Sequence, residues 1–252
     1  MTIRVAVAGA TGKLGTVATG LIERSPEFEL VAALNSGSSL DDMLGSDERP
    51  TDVLIDVTLP AVSPEIVDFA IEHGINVLVG TSGWSAERIA ALERSLTPHP
   101  ERGVIIIPNF SLGSALATAF AAVAGRFYDS IEIVEAHGAG KVDSPSGTAV
   151  RTAELISAAR GDRGPVEAPH NDQRARGQQI ASIPVHSLRM HGVVANQRVL
   201  LGGAGERLTI EHDTIDSRAY EPGILLAARA AASASGVTVG LDKLVDLGIS
   251  AR

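Results

Sequence analysis

The chain has 252 residues, enough for one large domain or two modest ones at roughly 150 residues per domain, and with 44% hydrophobic and 20% charged residues it is neither collagen-like, coiled-coil nor disordered. A net charge of −9 and 3% aromatic content make a poor footprint for nucleic acid. The chain has no cysteine, so disulfides, thiolate zinc sites and cysteine nucleophiles are excluded together.

No apolar run reaches the roughly 18 residues of a membrane span, and Met1-Thr2-Ile3-Arg4 passes directly into Val5-Ala6-Val7-Ala8 without a basic leader. The expected address is the cytoplasm and the expected partner a small molecule, not nucleic acid or a membrane. In the first half, Val/Ile/Leu-rich runs near 3–8, 28–34, 52–57, 75–79 and 103–107 alternate with helical patterns near 12–24, 62–73 and 85–96. This predicts an α/β fold, a Rossmann-type doubly wound parallel sheet buried on both faces. Residues 36–50 read as a loop with at most a short helix.

Ser111 is the expected N-cap of an Ala-rich buried helix reaching Phe127, with Ala115, Ala119 and Ala122 as its close-packing face. Strand-like runs at 129–136, 180–189, 193–201 and 206–213 then follow with a single helix, 147–160, among them. This predicts an α+β substrate and oligomerisation domain with a mostly antiparallel or mixed sheet. A helix at 222–235 and a tail at 237–247 resemble the first half again. The expected division is 1–128, completed by 218–252 folding back, and 129–217.

Gly9-Ala10-Thr11-Gly12-Lys13-Leu14-Gly15 follows the first strand and opens the first helix, the placement at which glycines admit a pyrophosphate to a helix N-terminus. The ribose-reading position after the second strand is Asn35, which lacks the charge that repels a 2′-phosphate. NADPH and NADH are therefore both expected, with Lys13 and Ser36 as candidate phosphate contacts. The second concentrated motif runs from Glu135 to Ala149. It brings His137 and Lys141 across a Gly-Ala-Gly loop to Ser146-Gly147-Thr148 at a helix start, a cradle for a carboxylate beside a full positive charge. An imidazole titrates near neutral pH, so His137 is the candidate proton donor, and Lys141 the cation for charge that develops during reduction. His186, His191 and His212 lack metal-ligand spacing, and no metal is expected. Trp84 reads as packing or as closing over the cofactor cleft.

The pairing of the glycine turn with E-x-H…K-x-D-x-P-S-G-T-A resembles the 4-hydroxy-tetrahydrodipicolinate reductase (dihydrodipicolinate reductase) family, along the full chain. Asp56-Val57-Thr58, Gly80-Thr81-Ser82-Gly83-Trp84, Pro108-Asn109-Phe110-Ser111 and Leu208 to Asp213 extend the match. The resemblance implies a homotetramer that reduces a cyclic unsaturated dicarboxylate of lysine biosynthesis. It implies His137 and Lys141 as catalytic, and Lys141, Ser146, Gly147 and Thr148 as substrate-binding. On the cofactor side it implies the Gly9–Gly15 turn and Asn35, with Gly80, Thr81, Pro108, Asn109 and Phe110 lining the nicotinamide half. Gly138 stands where the family has a second histidine, Asn196 where it has another, and its hinge arginine is displaced to Arg218. Two alternatives stay open: reduction of a different cyclic imine, and a non-catalytic NAD(P)H sensor. An ordinary short-chain dehydrogenase is excluded, since Glu132 and Ile224, not lysines, stand four residues after Tyr128 and Tyr220.

Overall fold

A computed structural model of the chain describes residues 2–46 and 49–246. Strands β1 (Ile3–Ala8), β2 (Phe28–Leu34), the two-residue β3 (Gly45–Ser46) and β4 (Arg49–Pro50), β5 (Val53–Asp56), β6 (Asn76–Val79) and β7 (Gly103–Ile106) alternate with helices α1 (Lys13–Arg24), α2 (Ser63–Glu72) and α3 (Ala86–Ser95). The chain continues through α4 (Leu112–Gly125), β8 (Ser130–Gly138), α5 (Gly147–Arg160), β9 (Gln178–Ile180), β10 (Ile183–Met190), β11 (Ala195–Gly203), β12 (Glu206–Thr214), α6 (Glu221–Ala231) and β13 (Gly236–Val239). Segment 36–50 becomes a 3-10 turn, Leu40–Leu44, closed by a Ser39/Asp42 capping box, plus the β3–β4 pair.

The first compact unit joins the described residues up to Phe110 with those from Tyr220 onward. Its sheet runs β13-β7-β6-β5-β1-β2, parallel throughout. Short runs that are apolar but for Asp56 and Asn76 make this possible: every residue of β5, β6 and β7 is buried, as strands covered on both faces require. The strand order reverses beside β1, which opens a crevice at the carboxyl ends of β1 and β5. The returning segment is stitched in by Asn76, whose amide donates to the Ala231 carbonyl at 2.8 Å and accepts the Gly103 N–H at 3.1 Å. Residues 247–252, which include the end of the expected tail, lie outside the described residues.

The second unit is Ser111–Ala219, so the division falls at 110/111 and not at the expected 128/129. The reason is α4, which packs on α5 through a Thr118–Thr152 hydroxyl contact of 2.9 Å and lays Gly125 against Ile156. This also corrects the expected face: Ser114, Ala117, Thr118, Ala121 and Gly125 are buried, while Ala115, Ala119 and Ala122 are only partly so. The sheet runs β12-β11-β8-β10-β9 and is mixed, because β10 pairs with β8 in parallel while the other pairings are antiparallel. The run expected as one strand from 180 is two, folded back on Ala181 and Ser182, both with positive φ.

One face of this sheet, carrying Ile131, Ile133, Val185, Val199 and Leu201, forms a core with Ala121 of α4 and Ile156 of α5. Arg160, 6% exposed at the end of α5, fastens the helix layer with hydrogen bonds to four carbonyls: Gly125 and Gly164 at 2.8 Å, Tyr128 at 2.5 Å and Pro165 at 3.2 Å.

Candidate active site

Alternation along β8 places Glu135 and His137 on one face. Parallel pairing sets Arg189 of β10 opposite His137. Glu135 is fully buried among these groups. Its carboxylate contacts His137 Nδ1 at 2.6 Å, both Arg189 Nη atoms at 3.0 Å and the Ser146 N–H at 3.2 Å. Burial pushes the Glu135 carboxyl up, but its bonds to Arg189 and His137 outweigh burial and hold it below the ordinary glutamate value.

The loop after β8 carries Lys141, whose Nζ pairs with Asp143 at 2.8 Å. That bond holds the Asp143 carboxyl low against a smaller desolvation effect. The Asp143 carbonyl also accepts from Arg189 Nη2 at 2.6 Å. The chain then enters α5 through Ser144 and Pro145. Ser146 is its N-cap, 2% exposed, with its hydroxyl accepting the Ala149 N–H at 3.3 Å. The first turn of α5 carries no acidic residue. Gly147 is exposed with open space where a Cβ would stand, and Thr148 is half-buried. His137, Lys141 and the Ser146-Gly147-Thr148 turn are thus brought together on this unit. Sequence reasoning missed Glu135 and Arg189. The E-x-H spacing signals the first, whereas the second emerges only from strand pairing.

In the first unit an open cleft of about 490 Å³ is lined by Gly9, Thr11, Gly12, Asn35, Ser36 and Thr58 among others. Its glycine turn is set by close approach. A Cβ on Gly9, at φ +83°, would stand 2.7 Å from the Val57 carbonyl oxygen, and one on Gly15 would stand 2.0 Å from that of Gly9. The Gly9 and Ala10 N–H groups donate to the Leu34 carbonyl, tying the turn to the end of β2. α1 starts at Lys13 with no side-chain cap and no acid in its first turn, which leaves its positive end suited to a pyrophosphate. These features fit a dinucleotide. Lys13 is exposed, Leu14 half-buried, and neither lines the cleft.

Of the residues expected at the nicotinamide half, Gly80 lies against Val57 and Phe110. The Phe110 ring packs so closely on Gly80 that a Cβ there would stand 2.6 Å from it, and Phe110 is only 2% exposed. Thr81 is buried with its hydroxyl on the Asp56 carbonyl at 3.3 Å, leaving Pro108 exposed and Asn109 half-buried. Trp84 packs against the core of this unit. Its Nε1 donates to Ser63 Oγ at 3.0 Å, and Ser63 in turn hydrogen-bonds the buried Asp56.

Asn35 uses its side-chain oxygen to accept the Gly37 N–H at 2.9 Å, and no arginine or lysine lines the cleft among the described residues. NADPH and NADH should therefore be used with no more than about a tenfold preference, on the scale of one modest contact at about 1.4 kcal/mol. Steady-state kinetics with each cofactor check this, and Asn35→Asp should move the ratio toward NADH. A preference of several hundredfold for either would refute it.

Family models described as the dihydrodipicolinate reductase N-terminus and C-terminus match residues 3–110 and 111–245. The chain belongs to the dihydrodipicolinate reductase family. The 4-hydroxy-tetrahydrodipicolinate reductase of Clavibacter sepedonicus is 66% identical, over 98% of this chain and 87% of the relative. That of Streptomyces griseus subsp. griseus is 44% identical, over 97% and 98%. A solved dipicolinate-bound dihydrodipicolinate reductase from Paenisporosarcina sp. TG-14 superposes with a TM-score of 0.79 at 29% identity, covering 97% of this chain and 100% of that one. A scyllo-inositol dehydrogenase from Lactobacillus casei, 13% identical with a TM-score of 0.62, shares the fold.

Against the family pattern, the three departures fall in different places. Gly138 ends β8 beside the cluster, where a Cβ would approach the Val193 carbonyl oxygen at 3.2 Å. Asn196 pairs with Ala136, not with His137, so it stands on the opposite face of the sheet and bonds Glu211 at 3.0 Å. Strand parity therefore turns Asn196 away from the face that carries His137. Arg218 pairs with Asp216, whose carboxyl that bond holds near 2. His191 is exposed in the turn after β10.

Proposed function

We propose that this family member reduces 4-hydroxy-tetrahydrodipicolinate to tetrahydrodipicolinate with NADPH or NADH, in the diaminopimelate branch of lysine synthesis. The observation that carries the reading is that His137 and the Ser146 N–H at the start of α5 share one buried carboxylate, while Arg189 ties that carboxylate to the backbone of Asp143, the residue that holds Lys141. A sensor has no use for such a cluster. The glycine turn and the start of α1 hold the cofactor pyrophosphate, Asn35 and Ser36 meet the ribose, and the Gly80–Thr81 and Pro108–Phe110 segments meet the nicotinamide. The bound cofactor supplies a hydride, and the protein supplies the rest.

The N-terminus of α5, with Ser146, Gly147 and Thr148, binds a substrate carboxylate. Lys141 leaves Asp143 to stabilise negative charge that grows on the ring during reduction. His137 delivers the balancing proton, and the 4-hydroxyl departs as water. A cofactor-oxidation assay with the pathway intermediate generated in situ tests the assignment. Turnover supports it, whereas an inactive protein that still binds NADPH would sink it and leave a different cyclic imine as the substrate.

At Gly138 the backbone is in the ordinary negative-φ region and only the Val193 carbonyl crowds the site. Gly138→His should therefore be accommodated by a shift of a few tenths of an ångström in the exposed 191–194 turn. The added donor for an anionic substrate should raise kcat/KM by about tenfold or more, since a hydrogen bond to a charged group contributes roughly 1.5–3 kcal/mol. An unchanged value in an already efficient enzyme would show that another group, His191 first among them, does this work.

The protein acts in the cytoplasm as a homotetramer, on this reading. What supports assembly is the sheet face opposite α4 and α5, where Val134, Ala136, Leu188 and Leu200 stand between charged neighbours and Leu188 is 45% exposed. Sedimentation should give four copies, and Leu188→Glu should shift the equilibrium to smaller species. A wild-type monomer at micromolar concentration would refute the assembly.

A further inference from the structure

The strand position of Glu135 continues the series Ile131, Ile133, and an apolar residue there would complete the core facing α4 and α5. Instead the chain buries a carboxylate completely, which costs free energy unless each of its oxygens is bonded. The partners it gathers are those that set the geometry of the site. One oxygen takes His137 Nδ1 and Arg189 Nη1, and the other takes Arg189 Nη2 and the backbone N–H of Ser146. The same guanidinium also reaches the Asp143 carbonyl, and Asp143 in turn holds Lys141.

We propose that Glu135 and Arg189 are the positioning residues of this site, Glu135 fixing His137 as its Nδ1–H tautomer and Arg189 locking the Lys141 loop to the same carboxylate. The proposal rests on the reading of His137 as proton donor. A carboxylate accepts only, so the neutral ring that it binds carries its hydrogen on Nδ1. Nε2 is then the nitrogen left to exchange a proton with substrate. Because Ser146 shares the carboxylate, the proton donor and the carboxylate cradle are set from one point. The bridge through Arg189 fixes Lys141 relative to both.

Nitrogen-15 spectra of the histidine rings, recorded where His137 is neutral, read the tautomer without any assay. Wild-type protein should show the Nδ1–H form. Glu135→Gln keeps the shape but offers an amide whose oxygen and nitrogen compete for Nδ1, so the Nε2–H form should appear. Its kcat should fall by about ten- to hundredfold, the range for outer groups that orient a functional histidine, while KM and NADPH affinity stay near wild type. Arg189→Lys keeps a cation beside Glu135 but cannot span to the Asp143 carbonyl. It should retain the tautomer and lose about tenfold in kcat. An unchanged tautomer in folded Glu135→Gln, or wild-type kcat in Arg189→Lys, overturns the proposal. Should Glu135→Gln fail to fold, the wild-type tautomer decides: the Nε2–H form there is equally fatal. If the wild-type protein proves inactive on the dicarboxylate, the assigned substrate fails while the tautomer still tests the positioning role.

Discussion

Lys141→Ala should lower kcat by about a hundredfold or more while leaving NADPH affinity unchanged, because a cation that meets charge only as the reaction proceeds acts on the transition state. In the resting site its Nζ is held by Asp143 at 2.8 Å and its side chain is 29% exposed, so its removal leaves a solvated carboxylate and not a buried orphan. The fold should therefore survive and the kinetics report on chemistry. Thr148→Ala, half-buried in the first turn of α5, should instead raise KM for the dicarboxylate with a much smaller change in kcat. Near-normal turnover in the Lys141 variant would remove it from the mechanism and favour a binding-only role for the protein.

Arg160→Leu should cost about 3 kcal/mol or more, on the order of 10 °C in Tm, without touching the site. Four carbonyls, at the end of α4, in the segment just after it and in the loop beyond α5, accept from this one guanidinium. Burial pulls its pKa below the ordinary arginine value, with the like charge of Arg163 adding to the effect. The group stays because it supplies donors to four carbonyls at once, one of them at the C-terminal end of α4. Lysine lacks the planar fork and should recover only part of the loss. Thermal unfolding checks both variants, and a drop below about 1 kcal/mol in Arg160→Leu would show that water replaces the clamp.

Elements whose evidence is local were legible in the sequence. The largely apolar runs of β5, β6 and β7, the glycine turn after β1 and the serine caps of α4 and α5 each declare themselves within a few residues. The buried face of α4 was not legible, since alanine on every side gives no amphipathic contrast and contacts from α5 decide the phase. Nor was the turn at Ala181 and Ser182, where two residues that rarely adopt positive φ take it to fold β9 onto β10. Glu135 was visible in its motif but not in its role, because Arg189 lies 54 residues away and joins it only through the β8–β10 register. The face on which Asn196 stands was hidden for the same reason: without the register of β11 against β8, a residue and its neighbour are equally good candidates for one face.

The stitching of the final segment into the first sheet has a consequence for how the chain is made. During synthesis the strands up to β7 emerge early, yet they lack α6, β13 and the carbonyl on which the Asn76 amide rests. The unit from Ser111 to Ala219 is continuous and leaves the ribosome with every partner it needs. The order usual for multidomain chains, N-terminal part first, is thus inverted here, and the nucleotide-binding half waits, with its β7 edge uncovered, for the last strand to arrive.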